Sequence, residues 1–187
     1  MNENLHKRLA ASCRCGQVAF EASGAPIVGA ICYCNDCQEA GRRFEQLPQA
    51  SAVLDPDGGS NFILYRKDRV RCTKGADQLR EYRLTPESST RRVLAVCCNT
   101  PVFVNVIQGH WLTIYRSRFP DGAPPPEVRV MTKHRRPGMD LPDDIPNYAG
   151  HSGKFMWRLL TAWIAMGFRI PRIAYGTTPW VGPLPLA

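Results

Sequence analysis

Cys32-Tyr33-Cys34-Asn35-Asp36-Cys37 is the stretch that decides the reading, with Cys13-Arg14-Cys15-Gly16 upstream of it. In an extended segment residues i and i+2 face the same way, so Cys32 and Cys34 share a face, as do Cys13 and Cys15. Cys37 falls at the predicted start of a short helix over Cys37–Arg43, capped by Asn35 or Asp36. Backbone N–H groups at a helix start favour thiolates. Three protein ligands leave the fourth position of a tetrahedral zinc ion open, as catalytic zinc sites do, whereas structural sites are closed by four. Cys32, Cys34 and Cys37 are therefore both the candidate catalytic residues and a candidate metal-ligand set. A soft thiolate ligand suits the open position.

Cys13 and Cys15 can grip an ion from one strand end, and Gly16 lets the chain turn tightly around it. A tetrahedral site needs two more ligands, and Cys97-Cys98 is the remaining pair. Neighbours in a strand point to opposite faces, so both reach one ion only if the chain bends there. Cys98 is the safer ligand; the site is then either irregular or completed by Cys97. Cys72 stands alone and reads as a packed thiol. Inert buried thiols are the bland alternative for every group. A redox dithiol is the chemical one, since Cys34-Asn35-Asp36-Cys37 is itself a CxxC, but it lacks a preceding βαβ pattern and the extra Cys32 favours metal.

Hydrophobic residues make up 44% of the 187 and charged residues 21%, a mix that points to an ordinary folded domain rather than disorder. The polar segment Met1–Arg8 lacks the apolar stretch of a signal peptide, and the apolar run around Leu159–Phe168 is about half of what spans a bilayer. A cytoplasmic location with reduced thiols is the expectation, and there eight cysteines suggest metal or catalysis before disulfides. The formal charge of +8 falls to +5 if seven thiolates surround two divalent ions. The basic residues are spread along the chain apart from runs such as Lys133-His134-Arg135-Arg136, so nucleic acid is not the expected partner and an anionic small molecule fits equally well.

Up to Arg118 the chain reads as short strands with polar breaks: Val18–Glu21, Ile27–Ile31, Phe62–Tyr65, Val70–Thr73, Leu79–Leu84, Arg92–Val96, Pro101–Ile107 and Trp111–Tyr115. Loops follow at Pro120–Pro126 and Pro137–Gly150, with one more strand within Val128–Lys133 between them. Lys154–Phe168 reads as a helix whose apolar residues pack on the β domain or on a second subunit of a homodimer, with some character of an interfacial helix. The expected division is a zinc-binding domain over residues 1–118 and a C-terminal extension over 119–187.

Three motifs in order, Cys13-Arg14-Cys15-Gly16-Gln17-Val18, Cys32 to Gln38 and Cys98-Asn99-Thr100-Pro101-Val102, resemble the glutathione-dependent formaldehyde-activating enzyme / centromere protein V family over roughly residues 10–118. The resemblance implies a β-tent-like fold of small, zinc-braced antiparallel sheets; with the two helices read above, the expected fold is mainly β with one short helix near the metal and a C-terminal helix beyond the family core. It implies one zinc on a CxC and a later CxxC, and a second on the CxCxxC triplet, where the thiol of glutathione enters as co-substrate. The activity it implies is that of a carbon–sulfur lyase forming a thiol adduct of formaldehyde. The chain departs from the pattern at Ala95, where the first cysteine of the later CxxC is expected. The expectation for this divergent member is that Cys97 substitutes, giving Cys13, Cys15, Cys97 and Cys98 as the closed set.

His6, His110, His134 and His151 lack metal spacing from one another and read as surface or loop residues. Tyr33 reads as packing and Asp36 as a cap. Arg42 and Arg43 could meet carboxylates of a glutathione-like ligand or form a solvated helix face. Three functions compete: a zinc-dependent lyase-like protein acting on a small thiol and a small carbonyl; a non-catalytic zinc-braced module for a protein, thiol or nucleic acid; and a thiol redox sensor.

Overall fold

A computed structural model describes residues 8–120, 122–173 and 175. The chain is mainly β, with two sheets and two helices. Strands β1 (Arg8–Ser12), β2 (Ala19–Ser23) and β5 (Val70–Lys74) form a small antiparallel sheet in the order β1-β2-β5. The larger sheet holds β3 (Val28–Cys32), β4 (Ser60–Arg66), β6 (Leu79–Tyr82), β7 (Thr90–Ala95), β8 (Thr100–Val106), β9 (Trp111–Tyr115) and β10 (Val128–Val130), in the order β10-β3-β4-β9-β8-β7-β6. All its pairs are antiparallel except β3 with β10, which run parallel. Strands β1 to β9 pair antiparallel throughout, as expected for the part up to Arg118; the parallel pair is made by β10, where Val128–Val130 lies alongside Ala30–Cys32.

The large sheet is covered on both faces, and one of its inner strands, β4, shows it. Along β4, Ile63 and Tyr65 join the core beneath the small sheet, with Val18, Phe20 and Ala22. Phe62 and Leu64 face the other way, toward Val104, Tyr115, Phe155 and Leu159. Strand residues alternate faces, so a strand buried on both sides reads as the continuous run Phe62-Ile63-Leu64-Tyr65. Phe20 meets Phe103 edge to face with ring centroids 5.4 Å apart, an inter-sheet contact of the favoured geometry.

Helix α1 (Asn35–Glu45) follows β3 and buries Ala40 and Phe44 against Tyr82 and Leu94. Helix α2 (Gly153–Ile164) is capped by Ser152, whose hydroxyl accepts from the Phe155 amide at 3.1 Å. It lays Phe155 and Leu159 on the large sheet and leaves Met156, Trp157, Leu160 and Ile164 exposed. His110 is buried, not a surface residue: its Nε2 lies 2.8 Å from the Leu159 carbonyl and its ring stacks on Trp163 at 5.4 Å. Among the described residues no helix is long and apolar enough to cross a membrane.

Candidate metal centres

The first cysteine group lies at the tips of two hairpins, one from each sheet. After β1 the chain reverses through Cys13–Val18, where the Cys13 amide donates to the Val18 carbonyl at 3.0 Å and the Gly16 amide to the Cys13 carbonyl at 3.1 Å. Gly16 sits at φ 73°, in the region only glycine enters without steric cost. The second tip is the β7–β8 turn, where the Cys98 amide reaches back to Ala95 at 3.4 Å and Asn99 takes φ 51°. Because Cys97 and Cys98 lie in this turn and not in a strand, neighbours that would otherwise diverge converge. The sulfurs of Cys13, Cys15, Cys97 and Cys98 all lie within 4.8 Å of one another. The separations are 3.6 Å for Cys13–Cys15, 3.8 Å for Cys13–Cys97, 3.4 Å for Cys15–Cys97 and 3.9 Å for Cys97–Cys98. Zinc–sulfur bonds of about 2.3 Å at tetrahedral angles place sulfurs about 3.8 Å apart, so this group fits a zinc ion closely. The Val18 amide donates to Cys13 Sγ at 3.3 Å, and the Thr100 hydroxyl stands 3.0 Å from Cys98 Sγ. Burial raises the Cys13 and Cys97 thiols. It opposes ionisation of Cys98 too, but the Thr100 hydroxyl and Cys15 draw that thiol down to about 7.

The second group forms where β3 gives way to α1. Cys32 ends β3, paired with Ser60 on one side and Val130 on the other. The helix begins earlier than expected and its cap is Cys34, whose sulfur accepts from the Cys37 amide at 3.4 Å; neither Asn35 nor Asp36 takes that role. Gln38 fixes the junction, donating from Nε2 to the Tyr33 carbonyl at 2.6 Å and to the His134 carbonyl at 2.8 Å. The sulfurs of Cys32, Cys34 and Cys37 lie within 4.8 Å of one another, so this group too could hold a metal ion. Hydrogen bonds inside the triplet push Cys32 up to about 12, raise Cys37 and hold Cys34 down at about 2.

Each group has a buried arginine nearby. Arg92, on β7, is 2% exposed and Arg118 is 8% exposed. Among the described residues neither forms an ion pair with a carboxylate. Arg92 Nη2 donates to the Asp36 carbonyl at 3.1 Å, while its Nε and Nη1, and Nε of Arg118, lack a hydrogen-bond partner. The Arg92 charge favours the Cys34 thiolate, and Cys98 and Cys13 act on Arg118.

A cavity of about 380 Å³ opens against the triplet, lined by Cys32, Cys34, Cys37 and Arg92 at one end and by residues of β4, β8, β9 and α2 elsewhere. Of the other candidates, Tyr33 is buried and donates to Asp57 at 2.6 Å. Arg42 and Arg43 are engaged by Glu39 at 2.8 and 2.6 Å, and Arg43 also donates to Tyr82 at 2.8 Å. Cys72 lies outside both groups, its sulfur 3.3 Å from the Lys74 carbonyl. His134 ends the single 3-10 turn Thr132–His134 and is half-buried, and His151 lies in a loop beside the cavity; His6 falls outside the described residues. The sequence offers little to single out Arg92 and Arg118; the one signal is an arginine within an expected strand, Arg92-Val93-Leu94.

Fold and site together define a small mainly β protein carrying two cysteine groups able to hold metal ions. Residues 5–116 match a family of unknown function, DUF6151, and the chain belongs to that family. No curated protein matches the chain. A crystal structure of a Rhodobacter sphaeroides protein from a structural-genomics programme is similar at 14% identity and a TM-score of 0.44, covering 74% of this chain and 99% of that one.

Proposed function

We propose that Cys13, Cys15, Cys97 and Cys98 hold a structural zinc ion, and that Cys32, Cys34 and Cys37 hold a second one at which a small thiol is received and joined to, or released from, a small carbonyl. The observation that carries this reading is the contrast between the groups: four sulfurs close one site at two hairpin tips, whereas three sulfurs form the other beside a cavity of about 380 Å³. The buried arginines support it. A buried cation without an anionic neighbour is strongly unfavourable, and four or three thiolates around a divalent ion leave net charges of −2 or −1 for Arg118 and Arg92 to offset.

A bound zinc ion would supply a lowered thiol pKa and a fixed position for the sulfur. The chain's own residues do the rest. Cys34, Cys37 and the hydrogen bonds of Gln38 fix the strand–helix junction beside the cavity, and its mostly apolar walls orient what enters. Thiol addition to an aldehyde forms one carbon–sulfur bond, and the thiol's proton ends on the former carbonyl oxygen. The protein's contribution is orientation. The glutathione-dependent formaldehyde-activating likeness supports this reaction class, with glutathione as one candidate thiol; from the part of the chain after Arg118, Val130, His151, Phe155, Met156 and Leu159 line the cavity.

The test is a metal count with a thiol titration. Two zinc ions per chain are expected, one remaining in Cys37→Ser, together with thiol-dependent protection against heating in the parent that is absent in the variant. A parent chain that retains both ions and gains no protection from any thiol overturns the proposal.

A further inference from the structure

The walls of the cavity beside the triplet bear on which thiol enters. Phe62 and Leu64 of β4, Val104 of β8, Trp111 of β9, and Phe155 and Leu159 of α2 form its sides. Among the lining residues Arg92 is the only lysine or arginine and Asp36 the only carboxylate. Arg92 is 2% exposed, and its Nη2 is already given to the Asp36 carbonyl at 3.1 Å. Glutathione carries two carboxylates and an ammonium group. Against two carboxylates and an ammonium the lining sets only Arg92, whose Nε and Nη1 are unpartnered, with His151 and Asp36, so at least one carboxylate would lose water without a full charge partner, a cost that burial of the short apolar parts of glutathione does not offset.

We infer that this site takes a hydrophobic thiol, aryl or alkyl, with its sulfur toward Cys32, Cys34 and Cys37 and its body between the large sheet and α2. This rests on reading the triplet as a thiol-receiving metal site, and replaces the peptide thiol with an apolar one. At about 30 Å³ per water of displaced liquid, the 380 Å³ cavity corresponds to a body of roughly a dozen heavy atoms. An apolar ligand in a concave apolar site with one convergent polar end is the common pattern of small-molecule recognition.

Thr113 of β9 also lines the cavity and is only half-buried, so a larger residue there fills the space without entering the core under the small sheet. The test uses the full chain loaded with cobalt(II), whose thiolate charge-transfer absorption reports a new sulfur ligand directly. Phenylmethanethiol, 2-mercaptoethanol and glutathione are titrated at one pH. Phenylmethanethiol is expected to bind at least about tenfold more tightly than either of the others. Thr113→Trp is expected to abolish that preference while keeping the metal count. If glutathione binds as tightly as phenylmethanethiol, the hydrophobic preference is wrong and the thiol site stands. If no thiol changes the spectrum, both fall.

Discussion

Cys97 illustrates how a single position can move a sulfur into range. Ala95 is fully buried in β7, paired with Leu79 and Thr100, and packs in the core beneath the small sheet. A cysteine two residues later lies in the turn and meets Cys15 at 3.4 Å. On the proposed assignment Cys97→Ser loses one zinc ion per chain and roughly 3 kcal/mol of stability, read by metal analysis and denaturant melting. Cys72→Ser keeps both ions and costs less than about 1 kcal/mol. The spacing of the cysteines made both groups visible in the sequence, because i, i+2 geometry needs no tertiary information. The arginines beside them were not visible, because nothing local marks a strand arginine as buried. Lys67 is a similar case: 4% exposed, its Nζ donates to the Val106 carbonyl at 2.9 Å, and burial lowers its pKa to about 8. The unfolded chain, with a lysine near 10.4, holds this proton over the interval in which the folded chain has lost it. Stability contributed by this group therefore rises as pH increases from about 8 to about 10.4. Comparing melting of the parent with Lys67→Met across that range should show a slope, on the order of 2 kcal/mol in total, that the variant lacks.

At the scale of elements, α2 is the wall most open to perturbation. Two apolar side chains, Phe155 and Leu159, seat it on the large sheet, and the His110 contact to the Leu159 carbonyl pins its middle. Burial lowers the His110 pKa, with Lys67 and Arg66 adding to the effect, while the Leu159 carbonyl opposes it. A histidine depressed in the folded state gives stability that is fully present above the unfolded value near 6.5 and is lost as pH falls through the folded value. Acidification below about 6.5 is thus expected to loosen α2, seen as faster proteolysis between Gly153 and Ile164 and a changed Trp163 signal. In His110→Phe, which keeps a ring against Trp163, that acid dependence should disappear, with a stability cost of about 1 kcal/mol for the lost hydrogen bond. The helix itself was legible from its apolar residues, and its Ser152 cap agrees with a start at Gly153. The role of His110 was not, because the contact joins residues 49 positions apart.

Across the whole molecule the two cysteine groups occupy different mechanical positions, and this makes their proposed roles separable. The four-sulfur group joins the β1–β2 hairpin of the small sheet to the β7–β8 hairpin of the large one, closing one end of the core they share. The three-sulfur group joins one strand end to the helix that follows it, a short-range link within Cys32–Cys37. Tying distant segments removes more freedom from the unfolded chain than tying near ones. The expected result is unequal melting: Cys15→Ser lowers Tm by roughly 6–12 °C, while Cys37→Ser lowers it by a few degrees at most, each with the loss of one zinc ion. The sequence alone placed the sulfurs but not this inequality, since which hairpins meet depends on the stacking of the two sheets. The cavity was hidden for the same reason: its walls come from residues between Ala30 and Leu159 that only the strand order and the seat of α2 bring together. Equal losses of Tm in the two variants would mean that the triplet braces the fold as much as the closed site does, and the division into a structural and a receiving centre would have to be given up.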